Sequence, residues 1–387
     1  MPPQQPDRLL DFINEVLSFS AHVFQITDFV WPACKRCLAV MQSVRQLPIR
    51  EAPAYRKDYI ARYLGRHNHS LALHWDNRPC PLTLEPPQLR FPHSLLEDEH
   101  MKLHVGFDMT FECAAPTPMI FMVNVHPTRT ADLMTPDRLR VTPARSITSY
   151  VDSFGNRCTR LLAPTGSLRV AANAIVTDSG LPDRIDLAAE EHAVADLPHD
   201  TLVYLLASRY CETDRLMDKA WELFGKTASG WRRVQAICDF VHSHIEFGYQ
   251  HAGPKKGASD ALTEGRGVCR DFAHLAVTFC RCMNIPARYC TGYLGDIGVP
   301  PEPEPMDFSA WFEVFLGGRW HTFDARHNIP RIGRILIARG RDAADVAICT
   351  SFGANTLKRF EVRTDEIVPG SLAALAAQTM EPARRAS

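Results

Sequence analysis

The sequence predicts an α+β fold, with a strand-rich region over 101–190 followed by a core of mixed helices and strands over 191–330. Three observations support this division. Apolar and polar residues alternate from 101 to 113, which is typical of a half-buried strand. Apolar residues recur at steps of three and four from 269 to 283, which indicates a buried helix face. Two strand-like runs within 308–324 flank a Gly-Gly pair, the pattern of a β-hairpin.

The strand-rich region predicts a β-sandwich-like N-terminal domain. After the alternating segment, apolar or alternating runs recur at 118–125, 149–152, 157–162 and 168–177, with turn residues between them. Several short strands at this spacing are typical of a sandwich. The region carries no cluster of catalytic residue types, so we expect a structural or substrate-docking role for it.

The segments outside these two regions are less regular. Residues 1–100 are rich in Pro, His and Arg and predict only short helices, near 9–17 and 55–64. We interpret them as a poorly defined extension outside the native product, with Met101 as the expected native start, because Leu96-Glu97-Asp98 could be encoded by a stretch resembling a bacterial ribosome-binding site. Residues 331–387 predict a C-terminal extension whose tail is frayed.

Composition and charge exclude several classes of partner. The formal net charge is −1, which gives no electrostatic basis for nucleic-acid or membrane binding. No apolar run approaches the roughly 20 residues that span a bilayer, and the first residues lack the pattern of a secretory signal. The 12 cysteines show no framework spacing. Reduced thiols in a cytoplasm are therefore the expectation, and the oligomeric state is not indicated.

The core region begins with helical patterns at 200–210, 216–224 and 231–245, followed by a short strand at 245–250. The residues at 287–294 predict a further strand. Neither a Gly-rich phosphate loop nor a paired set of zinc ligands occurs in the sequence, and we infer no cofactor and no metal site.

Cys269 is the first candidate functional residue. It follows Gly265 and Gly267 and starts the apolar-periodic segment, so it lies at or near the first turn of a helix. Unpaired backbone N–H groups and the helix dipole favour an anion there, which predicts a lowered thiol pKa and a nucleophile. A buried core cysteine at a helix start fits this stretch equally well.

The order of a helix-borne cysteine, a strand, and a hairpin ending in Phe-Asp resembles the transglutaminase-like superfamily, a branch of the papain-like cysteine hydrolases. The resemblance covers about 220–330 in the family's order and spacing, and residues 101–190 resemble the β-rich region that precedes this core in bacterial relatives. The matching segments are Ser-Asp-Ala-Leu at 259–262, Gly-Val-Cys-Arg-Asp-Phe-Ala-His-Leu at 267–275, Asn-Ile-Pro-Ala-Arg-Tyr at 284–289, Gly-Tyr-Leu at 292–294, Ala-Trp-Phe-Glu-Val at 310–314 and Trp-His-Thr-Phe-Asp at 320–324.

The resemblance implies a papain-like core with a helix-borne cysteine packed on an antiparallel sheet, and a Cys–His–Asp triad. Cys269 takes the position of the nucleophile and Asp324 that of the orienting carboxylate. The histidine position falls immediately before Ala310, where this chain has Ser309. A serine hydroxyl near neutral pH cannot act as the general base, so the thiol lacks its imidazole partner.

Three other histidines are potential substitutes for the missing general base. Strand alternation places His321 on the face opposite to Asp324. His274 lies about 140° round the helix from Cys269, since a helix has 3.6 residues per turn. His327 follows Asp324 by three residues in a segment that could fold back, so it is the candidate substitute base, with a surface or structural histidine as the alternative.

Two neighbouring residues have open interpretations. Asp271 can cap the helix, pair with Arg270 or Arg288, or lie solvated in the first turn. Trp311 can pack near the site or serve only as a core tryptophan.

The sequence thus predicts a transglutaminase-like cysteine hydrolase acting on amide or peptide bonds through a thiol nucleophile. Hydrolysis is favoured over transfer to an amine, because nothing marks an amine site. The alternative is a catalytically degenerate domain, with Ser309 at the histidine position, that binds peptides or proteins in the same groove.

Overall fold

The computed structural model describes residues 100–302 and 306–367. The predicted short helices near 9–17 and 55–64 and the predicted tail at 370–387 lie outside the described residues. So do residues 1–99 of the predicted N-terminal extension.

Two four-stranded antiparallel sheets form the β-rich module, with strand orders β14-β1-β6-β3 and β13-β2-β5-β4. The strands of this module are β1 (Met101–Cys113), β2 (Thr117–Phe121), β3 (Arg140–Thr142), β4 (Ile147–Val151), β5 (Arg157–Ala163), β6 (Gly166–Asp178), β13 (Cys349–Ser351) and β14 (Asn355–Glu366). Their inner faces share one hydrophobic core, in which the rings of Phe111 and Phe121 lie 5.8 Å apart. The predicted sandwich-like domain is confirmed.

Strand β1 shows why this module forms. Its alternate residues Leu103, Val105, Phe107, Met109 and Phe111 are buried, as the alternation predicted. Full burial of one such side chain contributes roughly 1.5–3 kcal/mol. Strand β1 pairs along nearly its whole length with β6 on one side and β14 on the other, which makes it the central strand of its sheet.

The described part of the C-terminal segment contributes three strands. Strand β12 (Ile335–Gly340) joins the sheet of the core, whereas β13 and β14 complete the two sheets of the β-rich module. Most residues of β14 are exposed and several are charged, so the strand lacks the alternation that marks β1. Such charges are common on edge strands, where they oppose pairing with other chains.

The core combines four helices with a third four-stranded antiparallel sheet, of order β11-β10-β9-β12. The helices are α1 (Thr213–Phe224), α2 (Trp231–His244), α3 (Ala258–Glu264) and α4 (Cys269–Cys282). The remaining strands are β7 (Glu246–Phe247), β8 (Arg266–Gly267), β9 (Ala287–Tyr293), β10 (Ser309–Leu316) and β11 (Arg319–Phe323). Strands β7 and β8 form a short parallel pair.

Helix α4 lies at the centre of this core. Every residue from 271 to 282 is buried, because α1, α2, α3 and the strands β9 and β10 all pack against the helix. The periodicity of its apolar residues predicted one buried face, and the neighbouring helices and strands cover its remaining faces. Even Arg281 is buried, and its guanidinium donates to the carbonyl oxygens of Leu206, Ala287 and Arg341.

The hairpin of β10 and β11 forms as predicted. Gly317 and Gly318 connect the strands with φ values of 56° and 80°, which a two-residue hairpin turn requires and glycine adopts without strain. One helix prediction was wrong: within 200–210 the structure has a 3-10 helix, His199–Leu205, in place of a longer α-helix. Among the helices of the described residues, none is long and apolar enough to cross a membrane.

Candidate active site

Cys269 is the first residue of helix α4, and the chain before it is fixed by its neighbours. Gly265 ends α3 in a left-handed conformation, with φ of 62°. The Asp271 carboxylate accepts a hydrogen bond of 2.9 Å from the Val268 N–H and thereby caps the helix. A Cβ atom at Gly267 would lie 2.7 Å from that carboxylate. The two glycines before the cysteine are therefore required by the turn and by the cap.

The structure decides between the interpretations of Asp271. Its side chain is fully buried and not solvated, and burial raises the pKa of its carboxyl group. Arg270 lies 3.5 Å away, whereas Arg288 pairs with Glu313. Asp271 therefore acts as a helix cap with a weak ion pair beside it.

The thiol of Cys269 is half-buried, and burial raises its pKa to about 11. The negative charges of Asp307 and Asp324 also raise the pKa, while Arg326 and a hydrogen bond from the Ala310 N–H lower it. The expectation of a lowered thiol pKa is thus wrong, because desolvation of the thiolate outweighs the helix start. The resting thiol is protonated near neutral pH.

Ser309 lies beside this thiol. It is the first residue of β10, and the backbone N–H of the next residue, Ala310, reaches the Cys269 sulfur. The Ser309 side chain is buried, and its carbonyl oxygen accepts a hydrogen bond of 3.1 Å from Thr291 Oγ1. The position where the resemblance expects the histidine is therefore next to the nucleophile, and it carries a hydroxyl group.

Asp324 is buried directly after strand β11 and is surrounded by donors. Its Oδ1 atom accepts from the backbone N–H groups of Arg326 and His327, at 3.0 and 3.1 Å. Its Oδ2 atom accepts from Nδ1 of His327 and from the guanidinium of Arg334, each at 2.8 Å. Burial alone raises the pKa of Asp324, but Arg334 and His327 outweigh it and hold the pKa well below its usual range.

His327 folds back onto Asp324, as its spacing allowed. Its second ring nitrogen, Nε2, lies 3.6 Å from Oε1 of Glu302. Burial lowers the pKa of His327, yet Asp324 and Glu302 outweigh burial and raise it. The hydrogen bond from His327 in turn lowers the pKa of Glu302 to about 2. Two carboxylates therefore favour the protonated form of this imidazole, and its role as substitute base stays a prediction.

Arg334 extends the network, although no sequence pattern marked it as a site residue. Its guanidinium bridges Asp324 and Asp183, with 2.8 Å to each carboxylate. The guanidinium carbon lies 5.1 Å from the ring centre of Trp311. Trp311 packs closely on Gly292, where a Cβ atom would lie 2.8 Å from the indole. Trp311 thus lies beside the charge network, as one of its two interpretations expected.

The two other histidines face away from the candidate site, as predicted: His274 faces away from Cys269, and His321 faces away from Asp324. His274 is buried between the rings of Tyr210 and Tyr289, and its Nε2 accepts from the Ala343 N–H at 3.1 Å. His321 is buried against Trp231 on the far face of the hairpin.

Sequence reasoning missed Asp307, which lies two residues before Ser309. It is half-buried, and its Oδ1 accepts a hydrogen bond of 2.6 Å from the Phe308 N–H. Burial raises the pKa of Asp307 to about 6. Arg326, whose charge lowers the pKa of Asp307, lies with its guanidinium carbon 3.7 Å from the ring centre of Phe247. The available signal was a carboxylate just upstream of the histidine position.

Within the described ranges, no group of three or more His, Cys, Asp and Glu side chains is arranged to hold a metal ion. A surface cavity of about 730 Å³ is lined by residues 250–256 together with Asp260, Glu264 and Arg266. Cys269 does not line this cavity, so the chemistry of the thiol is not connected to it.

Comparisons with known proteins agree with this geometry. The family model of the transglutaminase-like superfamily matches residues 220–325, which include both Cys269 and Asp324. A solved structure from Cytophaga hutchinsonii, described as a candidate cysteine protease, is 34% identical, with a TM-score of 0.62 over 70% of this chain and 91% of that chain.

Two further relatives are more distant. An uncharacterised protein of Mycobacterium leprae is 28% identical over 221 residues, which cover 54% of this chain and 77% of that protein. The periplasmic domain of TgpA from Pseudomonas aeruginosa is 14% identical over 58% of this chain and 88% of that domain, with a TM-score of 0.30. From the family model and the 34% identical relative together, this chain belongs to the transglutaminase-like superfamily.

Proposed function

We propose that this protein is a cysteine hydrolase that cleaves amide or peptide bonds with the thiol of Cys269. One observation carries the proposal: Cys269 begins the central helix, with the Ala310 N–H at its sulfur and the buried carboxylate of Asp324 nearby. The similarity to the candidate cysteine protease of Cytophaga hutchinsonii, over 91% of that chain, supports the same reaction class.

The reaction requires the thiol to lose its proton as it attacks. The sulfur forms a bond to the carbonyl carbon, the carbon–nitrogen bond breaks, and the amine leaves with the proton. Water then hydrolyses the thioester and returns the thiol. Backbone N–H groups at a helix start can stabilise the negative charge that develops on sulfur and oxygen. Release to water is favoured over transfer to an amine, since no feature of the site marks an amine.

The proton acceptor is the open part of this mechanism. The hydroxyl of Ser309 cannot serve, because an alcohol is far too weak a base at neutral pH. His327 is the substitute predicted from the sequence. The Nε2 atom of His327 lies 3.6 Å from Oε1 of Glu302. This ion pair must break before His327 can accept the thiol proton.

A second candidate function is a peptide- or protein-binding module that retains the groove without the chemistry. It is favoured by the serine at position 309 and by the thiol pKa of about 11. A protonated thiol without a base binds a substrate but does not attack it.

Hydrolysis of fluorescently labelled casein and of peptide amides tests the proposal. The wild type is expected to release product, Cys269→Ala to release none, and Cys349→Ala, at a half-buried cysteine of strand β13, to match the wild type. Equal product from the wild type and Cys269→Ala contradicts the proposed nucleophile. Saturable binding of the same peptides by both proteins, without cleavage by either, supports the binding module.

Alkylation by iodoacetamide, read by mass spectrometry of the Cys269 peptide, gives a second measurement. The rate is expected to rise with pH towards the thiol pKa of about 11, because only the thiolate reacts. Rapid alkylation below about pH 7 would instead indicate that the cation and backbone N–H groups near the thiol outweigh its burial.

A further inference from the structure

Strand β4 is the outermost strand of its sheet in the β-rich module. The sheet has the order β13-β2-β5-β4, so β4 pairs with β5 on one side only. The antiparallel register runs from Ile147 opposite Leu161 to Val151 opposite Arg157. In such a ladder, alternate backbone N–H and C=O groups of an outermost strand point away from its neighbour. Among the described residues, no strand pairs with this outer side of β4.

The residues of β4 do not protect this edge. All five are exposed, and the strand reads Ile-Thr-Ser-Tyr-Val, with no charged residue and no proline. Edge strands usually carry charges or proline, which oppose pairing with another chain. Strand β14 follows this rule at the edge of the other sheet, where it carries Lys358, Arg359, Glu361 and Arg363. Strand β4 instead combines residues that favour strand pairing with an open side.

Apolar side chains accompany the open backbone on both faces of this edge. Ile147 and Val151 share one face by strand alternation, and they are 41% and 63% exposed. Tyr150 of β4 and Leu162 of β5 lie on the other face, and both are exposed. Single exposed apolar residues are common on protein surfaces, whereas a contiguous group indicates an interaction surface.

A surface cavity of about 450 Å³ continues this edge beyond Ile147. It is lined by Arg145 and Ser146, which directly precede β4, and by Leu162 and Pro164 at the end of β5. The cavity is therefore placed to receive a side chain of a strand that pairs with β4.

The charge of this region is strongly positive, although the whole chain has a formal net charge of −1. Between 138 and 169 the chain has one acidic residue, Asp152, whose carboxylate accepts from the backbone N–H groups of Phe154 and Asn156. The same segment has six arginines, and all of them are exposed: Arg138, Arg140, Arg145, Arg157, Arg160 and Arg169.

Three of these arginines lie next to β4. Arg157 is paired opposite Val151, Arg160 is paired opposite Thr148, and Arg145 precedes the strand by two residues. None of the three forms a salt bridge with an acidic side chain of the described residues. A partner that approaches this edge is therefore expected to bring carboxylates.

We propose that the outer side of β4 is a docking edge for an extended acidic segment of a partner protein. The segment pairs with β4 as an added strand and presents carboxylates to Arg145, Arg157 and Arg160. In this mode of recognition, main-chain hydrogen bonds supply affinity and alternate side chains supply specificity. The inference does not rest on the proposed function, because it uses no residue of the site at Cys269.

A second copy of this chain and a nucleic acid fit the observations less well. Pairing of β4 with itself about a two-fold axis would add the same cations to the same edge, and Asp152 is held in its own turn. A nucleic acid would neutralise the arginines but would leave the backbone groups of β4 and the side chains of Ile147 and Val151 without partners. An acidic peptide satisfies the backbone, the apolar side chains and the cations together.

The test measures the fluorescence polarisation of a labelled peptide of alternating glutamate and valine that is titrated with the full chain. Alternation places the carboxylates on one face of the added strand and the valines on the other. The wild type is expected to bind this peptide saturably, and the affinity should fall as the salt concentration rises.

Two control peptides test the two parts of the recognition on the wild-type protein. A peptide with lysine in place of glutamate reverses the charge and should bind at least about tenfold more weakly. A peptide with proline in place of valine keeps the carboxylates but loses backbone donors, so it cannot pair as a strand and should also bind at least about tenfold more weakly.

Variants of the protein test the same two parts. Arg157→Glu combined with Arg160→Glu should weaken binding of the glutamate–valine peptide at least about tenfold, since like charges across an interface oppose association. Val151→Asp places a carboxylate in the edge itself and should weaken binding in the same direction. Arg232→Glu, at an exposed position of α2, should bind within about twofold of the wild type, because salt screens distant charges. Thermal unfolding checks that each variant is folded.

Several outcomes would overturn the inference. They are absence of saturable binding by the wild type, equal binding of either control peptide, unchanged affinity in the double arginine variant, and tighter binding of a single-stranded oligonucleotide than of the peptide. Dimerisation in analytical ultracentrifugation that Val151→Asp abolishes would assign the edge to a second copy and would overturn it as well.

Cys269→Ala separates this inference from the proposed function. The variant is expected to bind the glutamate–valine peptide as tightly as the wild type does. Binding at β4 by a protein that shows no hydrolysis dependent on Cys269 would support the docking edge while the proposed function fails. Hydrolysis without peptide binding would give the reverse result.

Discussion

Two carboxylates, Asp307 and Asp324, act electrostatically on the Cys269 thiol, and the fold shifts their own pKa values in opposite directions. Asp324 accepts from two backbone N–H groups, an imidazole and a guanidinium, and its pKa lies well below the usual range. Asp307 accepts from one backbone N–H, and its pKa is raised to about 6. Both are removed from water, so the number of donors and cations decides the sign of the shift, not burial.

This difference indicates different tasks. A carboxylate with a strongly lowered pKa remains charged through the physiological range, so Asp324 suits positioning and charge balance. A carboxylate with a pKa near neutrality can both accept and return a proton. His327 belongs with Asp324 in this respect, because Asp324 and Glu302 stabilise its protonated form.

The largest expected effect comes from restoring the imidazole. Ser309→His places a ring nitrogen beside the Cys269 sulfur, where it accepts the thiol proton and then stabilises the thiolate. We expect hydrolysis of a peptide amide to rise by about 10²- to 10⁴-fold, and the pH at which Cys269 alkylates to fall. Steady-state kinetics and alkylation rates against pH measure the two effects.

Ser309→Asn is the matched control, since it adds a polar group that cannot titrate. Equal rates for Ser309→His and Ser309→Asn, with both variants folded, would show that an absent imidazole does not limit this site.

The next effect concerns the stability of the Asp324 network. Arg334→Met removes the guanidinium that bridges Asp324 and Asp183 and leaves a buried carboxylate with fewer partners. We expect the free energy of unfolding to fall by about 3–5 kcal/mol, measured by urea titration at pH 7. Arg232→Met, at an exposed position of α2, should change it by less than about 0.5 kcal/mol. A loss below about 1 kcal/mol for Arg334→Met would mean that the network is dispensable.

The smallest expected effect is a gain in the free energy of unfolding, opposite in sign to the effect of Arg334→Met. Asp307 has a folded-state pKa of about 6 against an ordinary value of 3.8, so the folded state binds more protons between these values. Wild-type stability should therefore decrease as pH rises through this window. Asp307→Asn should be more stable than the wild type at pH 8, by on the order of 1–3 kcal/mol, with the advantage vanishing below about pH 4.

Asp324 gives the counterpart in the same urea titrations. Its lowered pKa contributes stability above the ordinary value of 3.8 that is lost as pH falls. Asp324→Asn should therefore destabilise the protein at pH 8. If both asparagine variants change stability in the same direction at pH 8, the contrast between the two carboxylates is wrong.

Local sequence patterns were sufficient to predict much of the fold and part of the candidate site. Apolar periodicity predicted the helix that begins at Cys269, and the Gly-Gly pair predicted the hairpin of β10 and β11. The resemblance predicted that position 309 lies beside the sulfur, and the short spacing from Asp324 allowed His327 to fold back. The helix, the hairpin and the turn to His327 depend on residues close together in the chain, where spacing limits the geometry, whereas the placement of position 309 came from the resemblance.

The strands after residue 331 could not be predicted from local sequence patterns. Strand β14 carries mostly exposed residues and pairs with β1, more than 200 residues earlier in the chain. Arg334 likewise reaches both Asp183 and Asp324. Neither contact has a periodic signal, because the partner that stabilises each one is distant in sequence.

The sequence by itself determined the candidate nucleophile and the position without the expected histidine: Cys269 starts a buried helix, and Ser309 stands where the resemblance places histidine. Only the tertiary structure decided the protonation states around them. A pKa depends on desolvation and on charges delivered by every segment packed nearby. Here burial and the charges of Asp307 and Asp324 raise the thiol pKa against the opposing charge of Arg326, and burial raises the pKa of Asp307.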